Sequence, residues 1–151
     1  MSEHLAAIRW NRTSPGFDFD SYNRAHEVSF KEGAIVLPAS SAPAYKGEPG
    51  RVDPEEAFVG ALASCHMLTF LALCSKKRLV VDAYEDDAVG VLDKGPNGKL
   101  AVARVTLRPK VRFAPGTEVN AEQLAQLHHR AHEGCFIANS VTTDVSVEPR
   151  D

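Results

Sequence analysis

The stretch that decides the fold is residues 53–76, which read DPEEAFVGALASCHMLTFLALCSK. Asp53 is suited to cap free backbone amides, and Pro54 suits the first helical position. The two glutamates that follow favour the positive end of a helix dipole. From residue 57 to residue 74 the sequence is apolar on nearly every side, and such a helix is usually buried on most sides. We therefore predict one long helix, covered by a sheet and by a second subunit.

Short strands are predicted before this helix. Residues 5–10 form one strand, and residues 22–30 form another because bulky and polar side chains alternate there. Residues 34–37 return as a third strand after a turn at Lys31-Glu32-Gly33, which makes a hairpin. Residues 38–52 carry several prolines and glycines and are predicted to form a loop.

Strands and a second helix are predicted after it. Residues 79–92 and 99–113 read as two long strands joined by a turn at 93–98. Asn120 is predicted to cap a helix that runs to about residue 132, and residues 141–147 form a final strand. This order of elements predicts an α+β fold with an antiparallel sheet rather than a doubly wound parallel sheet.

Length and composition fit one globular domain over residues 1–151. The chain is 44% hydrophobic and 25% charged, and its formal net charge is -3 with no basic block, so we expect no nucleic-acid partner. The N-terminus lacks an apolar run of signal length. No stretch of the sequence approaches the roughly 20 apolar residues that cross a bilayer. We therefore expect a cytoplasmic protein without a membrane partner.

The three cysteines are the side chains most suggestive of chemistry. In a reducing cytosol, a cysteine pair is more often redox-active or metal-binding than structural. Cys65 lies in the long helix, whereas Cys135 follows a glycine at a predicted helix end, where the backbone can turn and expose it. Cys74 lies on the opposite face of the helix from Cys65, about 13 Å along the axis, and is predicted to be a packing residue. Packing alone remains an alternative for the other two.

Activation of a thiol requires a nearby positive charge. A free cysteine has a pKa of about 8.5 and is mostly protonated at neutral pH. Arg24, in a predicted strand, is the candidate cation, and a partly buried arginine needs a carboxylate such as Glu55 or Glu56. About 15 Å of helix separates Glu55 from Cys65, so one arginine that serves both must either span this gap with a long reach or belong to a site completed by a second chain. The alternative is that both charges are simply solvated.

A metal site is a second possible use of the same region. His128, His132 and Cys135 are spaced along one stripe of a helix, and all three residue types bind zinc. Gly134 interrupts this stripe, and the sequence has no CxxC or HExxH spacing. We therefore expect no metal here, and analysis of the purified protein for metal would decide the question.

The chain resembles the OsmC/Ohr family of thiol-dependent peroxidases, and its OsmC-like branch more than its Ohr branch. The first matching segment is Asp53-Pro54-Glu55-Glu56-Ala57-Phe58, which leads into Ala63-Ser64-Cys65-His66-Met67-Leu68-Thr69-Phe70. The second is Ala131-His132-Glu133-Gly134-Cys135 with Asn139-Ser140-Val141, and the third is Tyr22-Asn23-Arg24-Ala25-His26. The resemblance covers essentially the whole chain.

The resemblance implies an α+β fold in which antiparallel sheets pack around central helices, in an interwoven homodimer with sites at the interface. It implies that Cys65 attacks organic hydroperoxides and that Cys135 resolves the resulting sulfenic acid. Arg24 and Glu55 are implied as the pair that stabilises the thiolate. The implied reductant is an external dithiol such as a lipoyl group, without metal, haem or flavin cofactor, and the implied role is defence against oxidative or osmotic stress.

Two expectations about the site and one alternative function complete this prediction. The apolar side chains of Phe58, Met67 and Phe70 should favour alkyl or lipid hydroperoxides over hydrogen peroxide, because binding energy must come from the organic part. His66 directly follows Cys65, where a histidine could tune or hydrogen-bond the thiol, although the sequence does not define its role. The alternative function is a non-enzymatic dimeric module that holds a small apolar or electrophilic ligand or senses redox state.

Overall fold

A computed structural model of the protein describes residues 1–150, and the chain forms two compact units, Met1–Ala57 and Phe58–Asp151. The first unit contains an antiparallel sheet in the order β1-β2-β3. Its strands are β1 (Ala7–Arg9), β2 (His26–Phe30) and β3 (Ile35–Ala39). The predicted hairpin is confirmed, since β2 pairs with β3 around a tight turn. A single domain over residues 1–151 stays a prediction.

The second strand is shorter than predicted because local hydrogen bonds hold the residues before it in a turn. The amides of Ser21 and Tyr22 both donate to the carbonyl oxygen of Asp18, at 3.2 and 3.1 Å. Arg24 reinforces this turn from its side chain, donating to the Tyr22 carbonyl at 2.8 Å. Alternation in residues 22–25 therefore does not become a strand, and β2 begins at His26.

The long helix, α1 (Pro54–Lys76), begins where the sequence predicts. The Asp53 carboxylate accepts the amide hydrogen of Glu56 at 2.8 Å, and the Glu56 carboxylate accepts the amide hydrogen of Asp53 at 3.0 Å. This reciprocal pair is a capping box, which satisfies two backbone donors that the helix itself leaves free. The predicted cap at Asp53 is confirmed.

Loss of this cap should destabilise the protein measurably. Asp53→Ala is expected to lower the free energy of unfolding by about 1 kcal/mol, because one backbone donor loses its acceptor. Asp53→Asn retains a capping oxygen and is the matched control. Its free energy of unfolding is expected to change by only a few tenths of a kcal/mol. Urea denaturation monitored by circular dichroism measures both. Equal losses in the two variants would contradict a capping role.

Within the chain, α1 is buried along one stripe and not on all sides. The buried residues are Leu62, His66, Phe70 and Cys74, spaced four apart, whereas Leu68 is 60% exposed. Coverage of the other faces by a second subunit stays a prediction.

By length and composition alone the 23-residue helix α1 could span a bilayer, which corrects the expectation that no stretch is long and apolar enough. A core helix of a globular protein meets the same criteria.

Each of the two long strands predicted after α1 is divided into two. The four resulting strands are β4 (Val81–Asp86), β5 (Val89–Lys94), β6 (Leu100–Leu107) and β7 (Pro109–Phe113). β4 pairs with β7, whereas β5 pairs with β6 in a different sheet. The Asp86 carboxylate accepts the Arg108 amide hydrogen at 2.7 Å where the chain changes sheets. Pro109 has no amide hydrogen to continue the ladder of β6.

The last strand is parallel to its neighbour, which the antiparallel prediction missed. β8 (Asp144–Val147) pairs in parallel with β6 in the sheet order β5-β6-β8. A parallel pair requires a long crossover, and here the crossover includes α2 (Ala121–Glu133). Asn120 caps α2 in a capping box with Gln123, as predicted, and the helix ends one residue past its predicted end.

Two apolar clusters in the second unit share α1. Phe70 and Cys74 of α1 pack with Leu127 and Ala131 of α2. Leu62 of α1 packs with two fully buried residues of β6, Val105 and Leu107. The burial of Cys74 confirms its predicted packing role. The segment of α1 around residues 65–70 therefore faces α2, and the candidate site lies along this contact.

Candidate active site

The structure brings together the two cysteines that the sequence predicts as reactive. Cys65 is half-buried in α1, and Cys135 lies just beyond the end of α2 with 1% of its surface exposed. The two side chains are within hydrogen-bonding reach of each other, and both thiols are free. Of the two, Cys65 is the thiol with access to solvent.

A tight turn after α2 holds Cys135 in place. The Cys135 amide donates to the His132 carbonyl at 3.2 Å, and the Cys135 sulfur accepts the Ala138 amide hydrogen at 3.4 Å. The prediction that Gly134 lets the chain expose Cys135 is wrong, because this turn directs the thiol inward. Gly134 serves close packing instead, since a Cβ there would lie 3.1 Å from Cγ2 of Thr69 on α1.

Burial affects the protonation of the Cys135 thiol. Desolvation raises the pKa of Cys135, and the hydrogen bond with Cys65 raises this pKa further, while the Ala138 amide opposes the rise. Cys135 is therefore held as a protonated thiol in the resting protein. A buried, protonated thiol beside a more accessible one is the arrangement that a resolving cysteine requires, because only the accessible thiol meets an external substrate first.

A buried pair of histidines joins α1 to α2 next to the cysteines. Nε2 of His66 and Nδ1 of His128 share a hydrogen bond of 3.1 Å. Phe70 stacks on the His128 ring with 4.4 Å between ring centroids. The suggestion that His66 hydrogen-bonds the Cys65 thiol is wrong, because its Nε2 bonds to His128 and its Nδ1 has no partner among the described residues.

Both histidines are neutral at pH 7. Burial lowers the pKa of His66 to about 4, with smaller effects from nearby His128 and His132, and burial alone lowers the pKa of His128 to about 4. A neutral pair can share one proton, with one ring donating and the other accepting. The sequence offered one signal for this contact: His66 belongs to the four-residue spacing of the buried stripe on α1.

Two other predictions about this region change. Phe70 is fully buried against His128 and cannot line a substrate pocket, whereas Phe58 and Met67 are only half-buried.

His128, His132 and Cys135, the alternative metal site, do not lie along one stripe of a helix, because α2 ends before Cys135. Across residues 1–150, no three histidine, cysteine or acidic side chains are grouped to hold a metal ion.

The first unit contains the predicted charged residues. Arg24 donates to the carbonyls of Tyr22 and Phe19, at 2.8 and 2.6 Å, and its guanidinium carbon lies 4.0 Å from the centroid of the Tyr22 ring. No ion pair joins Arg24 to Glu55 within the described part of the chain. Their role as a thiolate-stabilising pair stays a prediction.

Arg24 also lines a cavity of about 370 Å³ in the first unit. Aromatic and polar side chains surround this cavity: Trp10, Phe17, Tyr22, Arg24, His26, Ser40, Ser41 and Pro54. The ring of Trp10 packs at 5.9 Å from that of Phe17, which in turn lies 5.4 Å from that of Tyr22. An aromatic wall with a few polar groups is typical of small-molecule sites.

The chain belongs to the OsmC-like protein family, whose family model matches residues 47–150. It is 46% identical to the OsmC-like protein of unknown function VCA0330 from Vibrio cholerae, with a TM-score of 0.94, over 99% of this chain and 100% of that one. The predicted resemblance and the α+β fold are thereby confirmed. None of the curated proteins matches the chain.

Hydroperoxide resistance proteins share the fold at lower identity. The organic hydroperoxide resistance protein OsmC of Legionella pneumophila is 19% identical, with a TM-score of 0.74, over 100% of this chain and 98% of that one. OhrB of Bacillus subtilis, an organic hydroperoxide resistance protein, is 20% identical, with a TM-score of 0.66, over 97% and 98% of the two chains. These likenesses show that the chain shares its fold with these hydroperoxide resistance proteins.

Proposed function

We propose that the protein is a cysteine-based peroxidase that reduces organic hydroperoxides to alcohols. The observation that supports this function best is the contact between the Cys65 and Cys135 thiols within one chain. The difference in their exposure supports accessible Cys65 as the attacking thiol and buried Cys135 as the resolving thiol. The names of relatives with this fold, which are hydroperoxide resistance proteins, point to the same substrate class.

In the first step, the Cys65 thiolate attacks the distal oxygen of the hydroperoxide. The O–O bond breaks, the alkoxide leaves and takes a proton to become the alcohol, and Cys65 becomes a sulfenic acid. In the second step, the Cys135 sulfur attacks the Cys65 sulfur. The S–S bond forms as the S–O bond breaks, and the departing hydroxide takes the Cys135 proton and leaves as water. The raised pKa of Cys135 means that this proton is present until closure.

The cycle is completed by an external dithiol, which reopens the disulfide by two thiol–disulfide exchanges. We place Arg24 and Glu55 in this mechanism as the pair that stabilises the Cys65 thiolate, in a homodimer in which the second subunit completes the site. The exposed apolar residues of α1, such as Leu68, favour a second copy as the cover of this helix. No cofactor is needed for the chemistry.

The test is a count of free thiols and an intact mass before and after one equivalent of cumene hydroperoxide. We expect each chain to lose two of its three thiols, with a mass decrease of about 2 Da for one intrachain disulfide, and a dithiol to restore both. Measurement under denaturing conditions makes buried Cys74 countable. Slow oxidation spread over several residues, without recovery and turnover, would refute the peroxidase.

A ligand-binding or redox-sensing module is the second candidate function, favoured by the aromatic cavity around Arg24. This module predicts stoichiometric oxidation without turnover. It also predicts that an apolar ligand quenches the fluorescence of Trp10, the single tryptophan, which lines this cavity. Steady-state consumption of cumene hydroperoxide in the presence of a dithiol distinguishes the two, since only the enzyme consumes many equivalents.

A further inference from the structure

The two proposed thiols are carried by two helices whose relative position determines their approach. Cys65 is part of α1, and Cys135 follows α2 directly, so any sliding or rotation of one helix on the other changes the sulfur–sulfur geometry. Formation of a disulfide is sensitive to such changes, because its bond length and dihedral angle are narrowly defined. What fixes the two helices against each other therefore influences disulfide closure.

Most of the contact between α1 and α2 is apolar and weakly directional. Phe70 and Cys74 pack against Leu127 and Ala131, and contacts of this kind tolerate small shifts. The hydrogen bond between His66 and His128 is different, since a hydrogen bond loses strength steeply as its distance and angle change. Among the described residues, it is the one buried hydrogen bond between a side chain of α1 and a side chain of α2.

The histidine pair is also an unusual choice for packing alone. Nδ1 of His66 and Nε2 of His128 are buried without partners among the described residues. Buried polar atoms without partners are unfavourable, and two apolar side chains would fill this space without them. A shift between the helices would leave the two bonded nitrogens unpaired as well. The pair therefore resists displacement in a way that an apolar pair would not.

We propose that the His66–His128 hydrogen bond is a positioning contact that holds the Cys135 sulfur at the Cys65 sulfur and so sets the rate of disulfide closure. Neither histidine touches the reacting atoms in this role. His66 is the residue next to Cys65. His128 is joined to Cys135 by the last turn of α2 and the hydrogen-bonded turn that follows it. The inference rests on the proposed function for its place in a catalytic cycle, but closure itself is measurable without a hydroperoxide.

The experiment uses the aromatic disulfide DTNB, whose released thiolate, TNB, absorbs visible light. The Cys65 thiolate attacks DTNB, which breaks its S–S bond, releases one TNB and leaves a mixed disulfide on Cys65. Cys135 then loses its proton to solvent and attacks the Cys65 sulfur, which forms the Cys65–Cys135 disulfide and releases a second TNB. The rate of the second TNB release measures formation of the Cys65–Cys135 disulfide alone. Cys135→Ser identifies this phase, because the variant lacks the second release.

His66→Leu is expected to slow the second phase by about tenfold or more, since misplacement by about 1 Å costs up to about a hundredfold in well-oriented reactions. The first phase is expected to stay within about twofold, because Cys65 keeps its place on α1. His66→Gln retains a hydrogen-bonding amide and is expected to recover part of the rate. His129→Gln changes an exposed histidine of α2, next to His128 in the chain, and is expected to behave as wild type.

A second comparison separates positioning from stability. Leu107→Ala weakens the cluster between α1 and β6 without touching α2, so it lowers stability and is expected to leave closure unchanged. If His66→Leu does not fold, the double variant His66→Leu/His128→Leu removes both polar partners and is measured in its place. A closure rate within twofold of wild type in either folded variant overturns the inference, as does equal slowing by Leu107→Ala.

The outcomes also separate this inference from the proposed function. If the wild-type protein shows both TNB phases but does not consume cumene hydroperoxide, the peroxidase function is refuted. The positioning role of the histidine pair then still stands. If the His66→Leu variant consumes hydroperoxide normally and closes its disulfide at the wild-type rate, the positioning role is overturned. The peroxidase function then still stands.

Discussion

Cys65→Ser is expected to abolish the reduction of organic hydroperoxides, with a loss on the order of 10³-fold or more, down to the uncatalysed background. A serine hydroxyl is not ionised near neutral pH and attacks the O–O bond far more weakly than a thiolate does. Cys135 does not substitute for Cys65, because it is buried with a raised pKa and meets no external substrate. Consumption of cumene hydroperoxide with excess dithiol measures this loss.

The other two cysteines provide the controls for this prediction. Cys135→Ser is expected to reduce about one equivalent of hydroperoxide quickly and then to accumulate the Cys65 sulfenic acid, which dimedone traps. Cys74→Ala is expected to keep turnover, because Cys74 packs in the apolar cluster with Phe70 and Leu127 away from the thiol pair. Retention of activity in Cys65→Ser, or its loss in Cys74→Ala with a stable fold, would contradict the assignment.

Acidification is expected to destabilise the protein through the His66–His128 pair. In the folded chain burial lowers the pKa of both histidines to about 4, whereas in the unfolded chain a histidine has a pKa of about 6.5. Between these values the unfolded state binds more protons, so the free energy of unfolding falls as the pH falls from about 6.5 towards 4. Above about pH 7 both states are neutral at these residues and the effect is absent.

The expected size of this effect is a substantial fraction of ordinary folding stability. A shift of this kind corresponds to about 3 kcal/mol for one histidine, while small proteins are stable by about 5–15 kcal/mol in total. The two values do not simply add, because a charge on one ring disfavours a charge on the other. Carboxylates with ordinary pKa values titrate near about pH 4, at the lower edge of this window. Burial raises the pKa of the Asp86 carboxyl, which therefore titrates closer to the histidines, so comparison with a variant that lacks both histidines isolates their contribution.

Urea denaturation at several pH values between 4 and 7.5 measures this dependence. The double variant His66→Leu/His128→Leu is expected to lose most of it, since no buried imidazole remains to be protonated. His129→Gln removes an exposed histidine of α2 and is expected to retain the wild-type pH profile. A wild-type stability that is flat from pH 7 to pH 4.5 would contradict the buried neutral pair.

The local signals in the sequence predicted both helices correctly. Asp53 and Asn120 cap α1 and α2 because a cap depends on side chains within a few residues of the backbone amides that it satisfies. The strands were predicted less well. Residues 79–92 look like one strand, yet they divide between two sheets, because pairing partners lie far away in the chain and an alternating pattern does not specify them.

The candidate site shows the same division. The sequence determined which residues carry reactive groups, because a thiol, an imidazole or a guanidinium is a property of the residue itself. Only the tertiary structure decided that Cys65 meets Cys135 and that His66 meets His128 rather than the thiol beside it in the chain. Adjacent residues on a helix point about 100° apart, so chain neighbours need not share partners. Contacts between helices depend on how buried faces pack, and that packing is fixed by the whole fold at once.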